Sequence, residues 1–455
     1  MVNMPVKEGE KYTVEIIDIG ESGEGIGKID GFTVFVEGGI PDDKVVIEAI
    51  KVKKNYAMGR IVEIKERSPH RVNPVCPVEK DCGGCQIQNI NYAKQLEIKK
   101  NRVESSIERI GKLEGILIHD TLGMDIPFNY RNKAQFPVGK EKGQSLIGFY
   151  KKGTHHIVDL DSCKIQHSIN DRIVKLFKNF IEKNKVSIYD KKTGKGILRH
   201  ILTRVSYASG DLMVVIITNG KKLPFRDEIV RVLTKEIPEI KSIIQNINSK
   251  KTNVILGHEC KTLYGQGKIV DYIGDLKFEI SPLSFFQVNS FQTKILYDKA
   301  LEYAGLSGNE TVFDIYCGIG SISLFLAQKA KKVYGIEVID AAIRDAENNA
   351  RLNNMDNTEF FVGKAEELVP KLYKKGLKAD VVVVDPPRKG CEKVVLETIA
   401  MMNPERIVYV SCKPSTLARD LKILDELGYR TVEIQPVDMF PHTTHVETVA
   451  LIEKK

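Results

Sequence analysis

The run Val408-Tyr409-Val410-Ser411-Cys412-Lys413-Pro414 sets one thiol between an apolar, β-branched stretch and a proline-opened helical pattern, Pro414–Arg419. A cysteine at the carboxyl end of a strand and just before a helix N-terminus faces the crevice where open α/β sheets bind ligands. The positive end of the helix dipole favours its thiolate, so the chemistry expected of Cys412 is nucleophilic attack. A buried packing cysteine is the commoner fate of an arbitrary one. Two other thiols compete. Cys317 falls inside a glycine turn, beneath any ligand there, and Cys391 follows a glycine at a helix start. Cys260 is expected to be structural.

Asp314-Ile315-Tyr316-Cys317-Gly318-Ile319-Gly320 has the composition of a strand end followed by a turn that lets a nucleotide approach the backbone. It lacks the third glycine of the dinucleotide fingerprint. Glu337, at the end of the next strand pattern, can accept two ribose hydroxyls, which suits S-adenosylmethionine (SAM) at least as well as NAD. Val381–Val384 leads into Asp385-Pro386-Pro387-Arg388, a rigid acidic loop resembling that of methyltransferases acting on bases or amide nitrogens. A hydride-transfer enzyme gives no reason for this loop.

Cys76, Cys82 and Cys85, with Cys163 distant in sequence, form a metal-site candidate. Structural zinc more often shows two close pairs, and a three-plus-one set suits zinc or an iron–sulfur cluster equally.

These groups need scaffolds. From residue 290 onward strands and helices alternate, the pattern of a doubly wound parallel α/β sheet. Thr431–Pro436 and Val446–Ile452 are expected to add an antiparallel pair at its edge. Residues 5–67 alternate apolar and polar with glycine punctuation, predicting a small β-barrel of four or five strands. Between them the pattern is mixed α+β, with strands near Leu198–Val205 and Leu212–Thr218. A helix after the cysteines is predicted to bury Leu96, Val103, Ile107 and Ile110. Three units follow: 1–67, 68–280 and 281–455. No apolar run reaches membrane-spanning length and the start lacks a signal-peptide core, so a cytoplasmic protein without a membrane partner is expected. There, eight cysteines favour metal binding or catalysis over disulfides. The net charge is +8, and residues 139–200 alone hold 14 Lys+Arg against 6 Asp+Glu. Such a patch attracts a phosphate backbone, although a solvated lysine face has the same composition. Residues 1–65 are slightly acidic, with 9 Lys+Arg against 12 Asp+Glu, leaving only Lys51, Lys53, Lys54 and Tyr56 as a local basic–aromatic cluster.

Taken together, Asp-x-Tyr-Cys-Gly-x-Gly, Asp-Pro-Pro-Arg-x-Gly, Ser-Cys-x-Pro, His445-Val446-Glu447 and Ser284-Phe285-Phe286-Gln287-Val288-Asn289 resemble the RNA uracil-5-methyltransferases. The N-terminal segment resembles the TRAM domain, an OB-like RNA-binding barrel. The closest layout is that of the iron–sulfur 23S rRNA enzymes. The resemblance implies a SAM-methyltransferase sheet and a monomeric enzyme that methylates uridine C5. It assigns Cys412 as nucleophile and Glu447 as the base that removes the C5 proton. Gln287, Tyr316, Glu337 and Asp385 are assigned to the SAM pocket. A [4Fe–4S] cluster is assigned to Cys76, Cys82, Cys85 and Cys163. Tyr130–Lys133 and Leu198–His200 resemble family blocks of the central domain, whose composition suits RNA contact and scaffold about equally. The chemistry explains the grouping: uracil C5 is weakly nucleophilic until a thiolate adds at C6 and makes it enolate-like. The T-loop uridine of tRNA is the alternative target. A non-catalytic RNA-binding or ribosome assembly factor is the alternative of a different class.

Overall fold

The computed structural model describes residues 5–455; residues 1–4, which fall in the first of the three predicted units, lie outside the described residues. Lys11–Ile19, Gly25–Ile29, Phe32–Glu37, Lys44–Val52 and Tyr56–Glu66 close into a barrel. Alternate residues Val14, Ile16, Val34, Val36, Val45 and Ile47 fill it. In Gly25–Ile29 the inward positions are the glycines Gly25 and Gly27, because the barrel closes tightly there. A Cβ on Gly27 would lie 2.2 Å from Val14.

The central unit is a seven-stranded sheet from Lys133–Glu141 to Glu259–Gly265. Strand Leu212–Thr218 is buried on both faces. Leu212, Val214 and Ile216 pack on the helices Ile169–Asn184 and Arg226–Glu236. Met213, Val215 and Ile217 join the core of the C-terminal unit instead. Period-two alternation thus glues two units through one strand.

In the C-terminal unit we label the strands β1 Thr311–Ile315, β2 Lys332–Glu337, β3 Thr358–Val362, β4 Val381–Val384, β5 Arg406–Ser411, β6 Tyr429–Val437 and β7 Glu447–Lys454. The helices are α1 Ser290–Ala304, α2 Ser321–Ala327, α3 Asp340–Leu352, α4 Ala365–Lys374, α5 Lys393–Met402 and α6 Pro414–Glu426. The strand order is β3-β2-β1-β4-β5-β7-β6, β1 to β5 being parallel and β7 antiparallel to both neighbours. The β6–β7 pair is not the outermost layer, since the short strand Leu117–Ile118 adds to β6. Among the described residues no helix is long and apolar enough to cross a membrane, and all eight cysteines are free.

The helix Tyr92–Ser106 packs on this sheet unit through Val103 and, just beyond its end, Ile107. Asn91 caps it by accepting from the Lys94 amide at 2.9 Å. The predicted face holds for Val103 and Ile107 but not for Ile110, which is 45% exposed. A π-turn over Ile107–Gly111 takes an extra residue per turn and rotates Ile110 outward. The helix also buries a charge: Lys99, 1% exposed, pairs with the fully buried Asp438, which accepts from Tyr92 Oη at 2.8 Å. Removing one member of such a pair strands the other charge. Lys99→Met is therefore expected to cost about 3–5 kcal/mol in denaturant unfolding. A loss below about 1 kcal/mol would mean that Asp438 is held by its other donors.

Candidate active site

Two strand ends bring Cys412 and Glu447 together. Ser411 faces Thr448 in the last pair of the β5–β7 ladder, which brings the next residues, Cys412 and Glu447, close to one another. The Thr448 hydroxyl donates to the Ser411 carbonyl at 3.2 Å, fixing the register. Pro414 opens α6, as its fixed φ suits a first helical turn. Asp385 leaves β4 with its amide donating to the Ile315 carbonyl at 3.3 Å.

The electrostatics reverse one sequence expectation. Burial pushes the Cys412 thiol up to about 11, and the neighbouring Glu447 and Asp385 add to it, with Arg388 opposing them. The helix terminus does not outweigh desolvation and two carboxylates. Glu447, 4% exposed, is held well above the carboxylate range by burial and by Asp385. Burial and Asp314 raise Asp385 to about 7. Thiol and acids therefore form one coupled proton-holding group. If Cys412 is the nucleophile, kcat/KM for RNA should climb about tenfold per pH unit between roughly pH 7 and 9, because the reactive thiolate is the minor form there. A plateau already at pH 7 would contradict this.

The SAM side is built at the ends of β1 and β2. Tyr316 sits at φ +73°, a left-handed conformation uncommon outside glycine. A Cβ on Gly318 would meet nothing within 4 Å, so open space lies above the turn. Glu337 accepts from the Gly318 amide at 3.3 Å and the Ile339 amide at 2.9 Å. Beneath, fully buried Asp314 accepts from Ser323 Oγ at 2.5 Å and leaves Oδ1 without a partner. Open space, oriented carboxylates and an orphan acceptor fit a cationic nucleoside ligand such as SAM. Gln287, 9% exposed, is held from behind: its carbonyl accepts from Asn132 Nδ2 at 2.8 Å.

The rival thiols are core residues. Cys391 is buried, its amide donating to Asp420 at 2.8 Å, and burial pushes its thiol up to about 12. Cys317 is also buried, under the turn. Cys260, expected to be structural, is exposed on the edge strand Glu259–Gly265.

Cys76, Cys82, Cys85 and Cys163 line one cavity of about 340 Å³. Among the described residues no three His, Cys, Asp or Glu side chains are close enough to hold a single ion. Burial and mutual repulsion raise the Cys85 thiol, and burial lifts Cys163 to about 11. Arg131 and Lys133 line the same cavity, with Arg131 Nε unpartnered. Four soft sulfur donors around one roomy cavity, with Arg131 beside them, have the donor chemistry of a polynuclear metal group.

The two family blocks of the central domain are largely scaffold. Tyr130 is fully buried and donates to the Pro441 carbonyl at 3.1 Å. Arg199, 4% exposed, donates to the Lys250 carbonyl at 2.9 Å and stacks on Tyr189 at 4.4 Å. Sequence reasoning gave no role to Arg388, the cation beside Cys412 and Glu447, although it stands in the Asp-Pro-Pro-Arg motif. It also missed Tyr297 on α1, which lies near Asp385, Asp314 and Glu447 and bonds Ser321 at 2.9 Å.

Strand order, glycine turn and acidic loop define a SAM-dependent methyltransferase joined to an N-terminal barrel. Residues 5–62 match the TRAM domain model. Residues 91–455 match the model described as tRNA (Uracil-5-)-methyltransferase, and the chain belongs to this family of RNA uracil-5-methyltransferases. It is 54% identical over 450 residues to an uncharacterised RNA methyltransferase of Clostridium tetani, covering 99% of this chain and 98% of the relative. It is 52% identical over 450 residues to one of Bacillus cereus, again with 99% and 98% covered. Among solved structures, it is similar to the Pyrococcus abyssi tRNA (uracil-54, C5)-methyltransferase in complex with S-adenosyl-L-homocysteine. That match has a TM-score of 0.77 at 29% identity and covers 97% of this chain and 100% of the other.

Proposed function

We propose that this protein methylates C5 of a uridine in 23S rRNA, with Cys412 as nucleophile and Glu447 as general base. The observation that supports the reading is the Ser411–Thr448 pairing, which brings Cys412 close to Glu447, with Asp385 and Arg388 beside them. Cys412, its proton lost to solvent, adds as the thiolate to uracil C6, so that Glu447 remains free for the later proton transfer. SAM, when bound, supplies an electrophilic methyl group to the enolate-like C5. Glu447 then accepts the C5 proton, and the C6–sulfur bond breaks to return the thiolate. Gln287, Tyr316, Glu337 and Asp385 orient the donor and the base. A paired or stacked uridine must first be flipped out, at a cost of a few kcal/mol. The rRNA target rests on the combined layout of barrel, cysteine set and methyltransferase sheet. A second reading, the tRNA T-loop uridine, is favoured by the target of the Pyrococcus abyssi enzyme. Mapping 5-methyluridine in both RNAs from cells lacking the protein separates them: loss from 23S rRNA supports the first, loss only from tRNA the second, and loss from neither overturns both.

We infer from the family resemblance that the four cysteines, which line one cavity, hold a [4Fe–4S] cluster. Methyl transfer involves no redox step, so the cluster's contribution is to fold and position its segment. Protein purified without oxygen is expected to carry iron and sulfide in about equal amounts. Zinc alone would sink the assignment.

A further inference from the structure

Glu447 is delivered to the sheet by the segment 438–446, and that segment is held from outside the sheet unit. The Gln86 and Ile87 amides, just past the cysteine run, both donate to the His442 carbonyl, at 3.0 and 3.2 Å. Arg102, on the helix Tyr92–Ser106, donates from Nη1 to the Thr444 carbonyl at 2.9 Å. From Nη2 it donates to the Ile19 and Gly20 carbonyls of the barrel, at 3.2 and 3.0 Å. Thr444 Oγ1 adds its own bond to the barrel's Glu21 carbonyl at 2.6 Å. One guanidinium thus spans two units through carbonyls only, with no carboxylate in contact among these bonds. A planar fork of donors that stays charged when buried is what such a bridge needs, and an ammonium cannot reproduce its geometry.

We propose that Arg102 is a positioning residue for the general base, locking the loop that carries Glu447 to the N-terminal barrel. The inference rests on the role given to Glu447 above and goes beyond it. The barrel then does more than tether RNA, because its seating is part of the geometry in which the C5 proton is removed. A bond that merely held the fold together would leave the steps of the reaction in their normal balance. A positioning bond would slow one step selectively, the elimination that frees Cys412.

The test compares wild type, Arg102→Met, Arg102→Lys and Glu447→Gln on a uridine-containing RNA substrate with SAM. Arg102→Met is expected to lower kcat about 100-fold, the size of effect that a misplacement of roughly 1 Å produces. KM for RNA and affinity for SAM should change less than threefold, with protein–RNA adduct accumulating on denaturing gels. Arg102→Lys should recover part of kcat. Hydrogen exchange at the amides of 440–446 should quicken in Arg102→Met. A raised KM with normal kcat and no adduct would overturn the proposal, making the bridge an RNA-docking feature. Unchanged exchange would overturn it too. If Arg102→Met fails to fold, Thr444→Val, which removes only the bond to Glu21, carries the same test with a smaller kcat loss. If Glu447→Gln traps no adduct, the base assignment fails by itself, and the exchange measurement alone decides whether Arg102 clamps the loop.

Discussion

Cys412→Ala is expected to abolish methyl transfer, with less than about 0.1% of wild-type turnover, while SAM binding stays within twofold. The size follows from chemistry: without covalent addition at C6, uracil C5 never becomes enolate-like, and no neighbouring thiol can substitute. Cys391 is packed against Asp420 in the core, and Cys317 lies under the glycine turn. Neither reaches an extruded base without unfolding its surroundings. Residual activity of a few per cent would nonetheless reassign the nucleophile to Cys391, and Cys391→Ala on top of Cys412→Ala would show it. SAM affinity serves as the control because the glycine turn, Glu337 and Asp314 are built on β1 and β2, two and three strands away from β5.

Glu447→Gln is expected to separate the two halves of the reaction. Addition at C6 and methylation at C5 still proceed, but the C5 proton has no acceptor, so enzyme and RNA remain joined through Cys412. A stoichiometric, heat-stable complex on denaturing gels is the expected result, with turnover reduced at least about 100-fold. Free RNA carrying neither methyl group nor protein would instead place Glu447 in substrate binding. Glutamine keeps the buried volume and removes the charge, so this variant should also relieve the repulsion that raises Cys412.

The fold was legible where burial dictates composition. β4 is Val381–Val384 and β5 is a run of Ile, Val and Tyr because both faces of a parallel strand lie under helices. The glycine turn and Pro414 declared their places by backbone chemistry alone. What sequence left dark depends on tertiary register. Nothing local to Glu447 says that it lies close to Cys412, since that needs β7 to insert antiparallel between β5 and β6. Its role came only from resemblance. For Tyr130, Asn132 and Arg199 the sequence left RNA contact and scaffold equally open, for a related reason. Polar side chains in a motif look like ligand contacts until their partners are seen to be buried carbonyls of a neighbouring unit. The direction of the Cys412 shift was lost because a helix terminus is visible in sequence and desolvation by distant segments is not.

The place of β7 has a consequence for how the protein comes to life. It follows β6 in the chain yet lies between β5 and β6, so until it pairs, one side of β5 bears open backbone donors and acceptors beside Ile407, Val408, Tyr409 and Val410. Such an edge is a template for pairing with other chains. A half-folded molecule is therefore adhesive and also exposes a thiol that has no base beside it. The strand that seals the edge is the one that brings Glu447 to Cys412. Under the proposed mechanism, sealing the edge and assembling the reactive pair are thus one pairing event.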